Sequence, residues 1–308
     1  MSDRLRTLAL FVRVAETGSF SRAGRELGYA QPTVSRMIGA LEARLGVKLL
    51  MRTTRQVTPT EAGTLLLDRA RAVLADIEDI ESAVRGAGGL SGTLRVATPV
   101  TFGAREIAPG LPKFLAAHPA LRVELLMADR RVDLLEEGVD LAIRLGTLDD
   151  SSFVSRRIST APRYIVASPA YLARAPALRH PGDLPAHAII SGRAPGHDIW
   201  TFRQGAGRAS AIKLDARLVL TSTEGLVAAT IAGMGLAMTS AFACRSELAD
   251  GRLVRVLADW ALPSIDVHAV SPPGRKPPAK TRQFIEHLSD AMNGAAMMLG
   301  AEGADKPS

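Results

Sequence analysis

Through the first sixty residues apolar side chains return every three or four positions, with polar residues between them. Leu5, Leu8, Val12 and Ala15 mark one amphipathic helix, Phe20, Ala23 and Leu27 a second, and Val34, Ile38, Leu41 and Leu45 a third. Gly28-Tyr29-Ala30 separates the last two, and glycine takes the positive φ of a tight turn without steric cost. Two short helices so closely joined predict a helix-turn-helix. A longer stripe follows. Thr60, just after Pro59, is placed to cap a helix running to about Arg85, along which Leu66, Ala70, Val73, Ile77, Ile80 and Val84 alternate spacings of four and three. Acidic Asp76, Glu78, Asp79 and Glu81 flank this heptad seam. It predicts burial against a second copy of the helix, the other reading being burial on the chain's own first domain.

The pattern breaks at Gly86-Ala87-Gly88-Gly89-Leu90-Ser91-Gly92, which reads as a flexible linker and a domain boundary. Beyond it, short apolar runs at 94–97, 121–126, 140–145, 164–167, 188–190, 218–220, 235–238 and 267–270 predict strands. They alternate with predicted helices at 102–117, 132–137, 169–174, 222–232 and 279–294. Such alternation gives α/β sheets that bind ligands at the carboxyl ends of strands. Residues 301–308 read as a disordered tail.

Charge adds what periodicity lacks. The 308 residues carry a formal net charge of +7 and a sequence pI of about 10.0, which favours a polyanion partner. Residues 1–60 hold ten Lys/Arg against four Asp/Glu, and the next thirty hold three against six, so the basic excess is concentrated at the amino-terminal end. On the third helix Gln31 and Ser35 are one turn apart, as are Pro32 and Arg36, and all four lie roughly opposite Val34, Ile38 and Leu41. Gln and Arg there suit adenine and guanine edges in a major groove. Arg52-Thr53-Thr54-Arg55, just beyond, suits phosphate oxygens. The bland alternative, a solvated helix face, is weakened by the basic head and the acidic stretch behind it.

Other classes find little support. Six scattered histidines lack metal-ligand spacing, and there is neither a phosphate loop nor a Gly-x-Ser-x-Gly nucleophile motif. Gly233 and Gly235 in GMGLAM resemble a dinucleotide loop only in part, and a tight turn explains them. One cysteine, Cys244, permits no intramolecular disulfide, fits a reducing cytosol and reads as a small buried hydrophobe. The amino terminus is interrupted by Arg6, Arg13 and Glu16, unlike a signal peptide, and no apolar run approaches the roughly 20 residues of a bilayer crossing. A cytoplasmic protein with no cofactor or metal is expected.

The motifs LALFVRVAETGSFSRAGRELG, AQPTVSRMIGALEARLGVKLLMRTTRQVTPTEAG, LRVATPVTFG, DRRVDLLEEGVDLAIRLG, VASPAYL and AGMGLAM stand in this order from Leu5 to about Leu288. In them the chain closely resembles the LysR-type transcriptional regulators. The resemblance implies an all-α winged helix-turn-helix at 1–59, a dimerising linker helix at 60–85 and a hinge at 86–92. It further implies an α/β effector-binding domain at 93–300, built like periplasmic solute-binding proteins from subdomain I (about 93–161 and 269–300) and subdomain II (about 162–268). The family's DNA contacts fall here on Gln31, Pro32, Thr33, Ser35, Arg36 and on Arg52, Thr53, Thr54 and Arg55. Ala30 departs from the family's capping serine, a loss of about 1 kcal/mol at the helix start. Thr101, with Thr98, Pro99 and Val100 beside it, matches a position that commonly meets an effector carboxylate. Thr221, Ser222 and Thr223 head a helix in the same manner, and Arg144 adds a cation; plain caps and a structural ion pair are the alternatives. The partners implied are double-stranded promoter DNA with an interrupted palindrome, a small-molecule effector, RNA polymerase, and further copies of the chain as a homodimer or homotetramer. No membrane partner is expected.

Overall fold

The computed structural model describes residues 3–52, 57–84, 89–134, 137–148, 153–192, 198–205, 207, 209–272 and 277–302. The three amphipathic stripes become α1 (Asp3–Thr17), α2 (Phe20–Leu27) and α3 (Gln31–Leu45). Leu10, Phe11, Val14, Phe20, Ala23, Val34, Ile38 and Leu41 meet in one core. Gly28 closes α2 at φ 77°, the left-handed geometry expected of the turn, and its N–H returns to Gly24 O. β1 (Leu50–Arg52) and β2 (Val57–Pro59) form an antiparallel ribbon with Met51 opposite Thr58. Their short runs carry too little alternation to stand out in the sequence.

α4 (Glu61–Val84) starts as expected: the Gly63 N–H donates to Thr60 Oγ1 at 3.0 Å. Its seam is divided. Ala70 is 2 % exposed within the first domain's core and the half-buried Leu66 packs against that core, so these two face their own chain instead of awaiting a partner. Val73 and Ile80 remain exposed, Ile80 by 62 %, and Ile77 is half-buried. The Val84 side chain lies outside the described residues, as do Arg85 and positions 86–88 of the expected hinge.

All eight strands expected beyond the linker are present, several of them longer. β3 (Ser91–Thr98) already takes in Ser91 and Gly92. A helical run follows as α5 (Val100–Phe102), a π turn (Gly103–Ile107), a 3-10 turn and α6 (Leu111–Ala117), two residues earlier than expected and irregular in its middle. Next come β4 (Ala120–Met127), β5 (Leu141–Leu145), β6 (Val154–Ala161), β7 (Arg163–Ala167), the short α7 (Pro169–Leu172) and β8 (Ile189–Gly192). β9 (Ile199–Phe202) and β10 (Ser210–Lys213) make a separate ribbon, followed by β11 (Ala216–Leu220), α8 (Thr223–Ile231), β12 (Leu236–Ser240) and α9 (Ala241–Ala249). β13 (Val254–Val256), β14 (Ile265–Ser271) and α10 (Ala279–Glu302) end the chain.

Two five-stranded sheets result, ordered β4-β3-β5-β14-β6 and β11-β8-β12-β7-β13. They define two subdomains that the chain crosses twice. The second crossing comes before Ile265, which already pairs with Ala161 in the first sheet, and not at 268–269. The helix expected at 132–137 is absent among the described residues. Val132, Leu134 and Val139 instead tuck under the first sheet beside Ala97, Ala142 and Val270, with one turn from Asp133 O to the Glu137 N–H. α10 continues through Ala301 and Glu302, the first two positions of the expected tail; residues 303–308 lie outside the described set. Among the described residues no helix is long and apolar enough to cross a membrane.

Candidate DNA interface and effector site

α3 presents the face that its sequence promised. Gln31, Pro32 and Arg36 are exposed, Thr33 and Ser35 half-buried, and Val34, Ile38 and Leu41 buried on the opposite side. The helix begins at Ala30 without a side-chain cap, so Pro32 in its first turn, which has no N–H to satisfy, takes over part of that role. Arg4, Arg22, Arg25, Arg44 and Lys48 are exposed on the same domain, which gives it the basic surface a duplex requires. Arg52 closes β1, but its side chain and all of Thr53, Thr54 and Arg55 lie outside the described residues.

Sequence reasoning missed the carboxylate at the other end of α3. Glu42 is 5 % exposed; its Oε1 accepts the N–H groups of Leu49 (3.0 Å) and Leu50 (3.3 Å), and its Oε2 receives Lys48 Nζ at 2.7 Å. Burial alone would raise its pKa, but Lys48 and the two N–H groups together hold it below the usual carboxylate range. Its stabilisation is therefore present above the unfolded pKa of roughly 4.3 and lost as pH falls through the lower folded value.

The expected effector residues fall at the carboxyl ends of neighbouring parallel strands. Thr98 ends β3, Pro99, Val100 and Thr101 open α5, and Arg144 lies near the end of β5, which pairs with β3 through Val96 and Leu141. Thr98 and Thr101 are not caps: Pro99 is the α5 cap and makes no side-chain bond. Thr101 is 2 % exposed, and its hydroxyl has no hydrogen-bond partner. The free N–H at the helix start is already satisfied, because Val100 donates to Asp129 Oδ1 at 3.0 Å. Arg144 lies over the Phe153 ring, 5.4 Å from its centroid. In the second subdomain Ser222 is a cap, accepting the Gly225 N–H at 3.0 Å, while Thr221 is exposed and Thr223 half-buried.

The two subdomains are held together beside these residues by groups with no sequence signature. Phe102 meets Phe242 of α9 edge-on, with centroids 5.2 Å apart. Next to it Arg105 reaches Glu224 of α8 (3.0 Å) and Glu247 of α9 (2.8 Å), while Glu106 meets Arg245 at 3.1 Å. The hydrogen bonds that Arg105 donates to Glu247 and Glu224 push its pKa further up, so the clamp is fully charged. Cys244 lies buried on α9 as expected, its thiol pushed up to about 12 by desolvation and by Glu247. A third joint links DNA-binding and effector domains: Glu16 of α1 receives Arg13 (3.1 Å), Arg71 of α4 (3.2 Å) and Arg95 of β3 (2.8 Å).

A basic helix-turn-helix joined by a long helix to a two-subdomain α/β unit defines a ligand-sensing DNA-binding regulator. The family model "Bacterial regulatory helix-turn-helix protein, lysR family" matches residues 5–64, and "LysR substrate binding domain" matches 87–293. The chain belongs to the LysR family, whose members are transcriptional regulators and not enzymes. It is 35 % identical over 293 residues to the transcriptional regulator PtxR of Pseudomonas aeruginosa, covering 93 % of this chain and 92 % of that one. Among solved structures it resembles CrgA of Neisseria meningitidis (TM-score 0.55, 30 % identity, 93 % of this chain and 96 % of that one). It also resembles the full-length virulence activator AphB of Vibrio cholerae (TM-score 0.56, 28 % identity, 94 % and 98 %).

Proposed function

We propose that this regulator reads an interrupted palindromic promoter site, with α3 of two protomers in successive major grooves about 34 Å apart, and that a small carboxylate gates it. The observation that carries the DNA reading is the exposure of Gln31, Pro32 and Arg36 opposite a fully buried apolar stripe. A bidentate Arg contact to guanine discriminates by about 1–3 kcal/mol. Arg36→Ala is therefore expected to abolish specific footprinting while leaving the circular dichroism spectrum and melting temperature unchanged; an unaltered footprint removes Arg36 from the interface.

Assembly as a dimer, or as a tetramer of two dimers, is supported by the apolar half of the α4 seam, where Val73 and Ile80 face outward. Light scattering on the full chain checks this, and a monomer at micromolar concentration contradicts it. Regulation proceeds in the cytoplasm through contact with RNA polymerase, and the effector acts by binding one arrangement of the assembly more tightly than another.

The carboxylate reading rests on Thr101, whose buried, unpartnered hydroxyl stands at the start of α5 beside the subdomain joint. With Asp129 on the Val100 N–H, an incoming carboxylate competes with this internal one, and the site distinguishes effectors by their ability to displace it. Thr101→Val removes an unsatisfied polar group, so the unliganded protein should gain up to about 1 kcal/mol. A thermal-shift panel of organic acids tests the pair, since a ligand at 100 times its dissociation constant adds about 2.7 kcal/mol. The acid that raises the wild-type melting temperature should fail on Thr101→Val; equal shifts return Thr101 to packing.

A further inference from the structure

The three-residue segment Lys48-Leu49-Leu50 enters the β1–β2 wing and is gripped on both of its hydrogen-bonding sides. From α3, the Glu42 carboxylate takes the Leu49 and Leu50 N–H groups. From the start of α4, the Thr60 N–H donates to Leu49 O at 2.9 Å and the Thr60 hydroxyl donates to Lys48 O at 2.7 Å. Gly63 completes the seat: a Cβ there would lie 1.9 Å from Leu49 O, so the linker helix approaches the wing root as closely as a backbone can. Leu49 and Leu50 are themselves buried in the domain core.

We propose that Glu42 is a positioning residue for DNA binding, fixing the angle between recognition helix and wing without touching DNA itself. The geometry carries this. Glu42 is one turn beyond Ile38 on the buried side of α3, away from Arg36, and both its carboxylate oxygens are engaged by the wing root. One carboxylate oxygen, Oε1, accepts both backbone N–H groups, and a carboxylate brings no donor of its own to that pocket. Its bond to Lys48 contributes less, because the lysine is exposed to solvent. With α3 lodged in a groove, a wing hinged at Lys48 would otherwise swing freely, and its cations would meet phosphate in no fixed register. The inference rests on the assignment of the wing arginines to phosphate.

The test is fluorescence anisotropy of the full chain with a short mixed-sequence duplex at several salt concentrations. The slope of log affinity against log salt reports the number of phosphates neutralised, independently of how much protein is active. Glu42→Met keeps the length of the side chain but removes the oxygen that accepts both N–H groups. It is expected to remain folded by circular dichroism, to weaken binding roughly tenfold at physiological salt, and to make the slope shallower by about one. Glu42→Asp keeps the charge but shortens the reach, and is expected to shift the slope in the same direction. Arg52→Ala, the control for the wing itself, should also lower the slope by about one. If Arg52→Ala lowers the slope and both folded Glu42 variants leave it unchanged, Glu42 is only a structural residue. If Arg52→Ala also leaves it unchanged, the wing makes no phosphate contact there and the proposal falls with that reading.

Discussion

Gly63→Ala is expected to destabilise the DNA-binding domain by about 3 kcal/mol or more and to abolish duplex binding. The added Cβ would stand 1.9 Å from Leu49 O and 2.9 Å from the carbon of the same carbonyl. These are main-chain atoms of a segment tied to Glu42 and Thr60, so no rotamer change relieves the clash. Either α4 retreats or the wing root leaves the core, and both break the Thr60 hydrogen bonds to Lys48 and Leu49. Gly39→Ala in the middle of α3 is the matched control: nothing lies within 4 Å of its added Cβ. It should stabilise the helix by roughly 0.5–1 kcal/mol through lost backbone freedom in the unfolded chain. Urea unfolding of the two variants with opposite signs would establish the close approach; similar midpoints would refute it.

Phe102→Ala is expected to cost about 3–5 kcal/mol, the range for a buried phenylalanine. Phe102 has no exposed surface and stands where β3, Ile107 and Phe242 meet, so its loss leaves a cavity between subdomains that both sheets' connections hold open. In an effector domain of about 200 residues each kcal/mol lowers the melting temperature by roughly 2–4 °C, and a fall of about 10 °C is expected. Because Phe102 adjoins Thr101, effector response should fall with stability, whereas DNA binding at low temperature should persist. Calorimetry showing a change under about 1 kcal/mol would mean the joint repacks freely around the gap. The Arg105 clamp to Glu224 and Glu247 remains in that variant and keeps the subdomains paired.

How legible the molecule was depended on the range of the forces involved. α1, α2 and α3 were readable because Leu8, Val12, Phe20, Val34 and Ile38 repeat within one turn of each other, and the exposed polar face of α3 followed as the complement of that stripe. The eight apolar strands were readable for the same reason. β6, β9, β10 and β13 were not. β6, for example, runs Val-Ser-Arg-Arg-Ile-Ser-Thr-Ala at the edge of its sheet, where polar residues face water on exposed positions and the alternation is lost. The stretch 132–137 misled because Val132, Leu135 and Val139 carry helical spacing in the sequence, whereas in the fold Val132 and Leu134, two apart, are both buried under the first sheet as in an extended segment.

By itself the sequence determined the order of the domains, the family, the exposed polar face of α3 and the placement of Thr98 to Thr101 at a strand end, all of which follow from patterns spanning a few residues. Tertiary structure alone decided three things. It packed Leu66 and Ala70 into the chain's own first-domain core and left Val73 and Ile80 outward, because that domain claims the nearer half of the seam. It set Asp129 on the Val100 N–H and left the Thr101 hydroxyl unpaired. It also brought Glu42 to the wing root, Arg105 to Glu247 and Glu16 to Arg95, pairings separated by 7, 142 and 79 positions. Isolated charges have no period, so only the folded chain can show which of them meet.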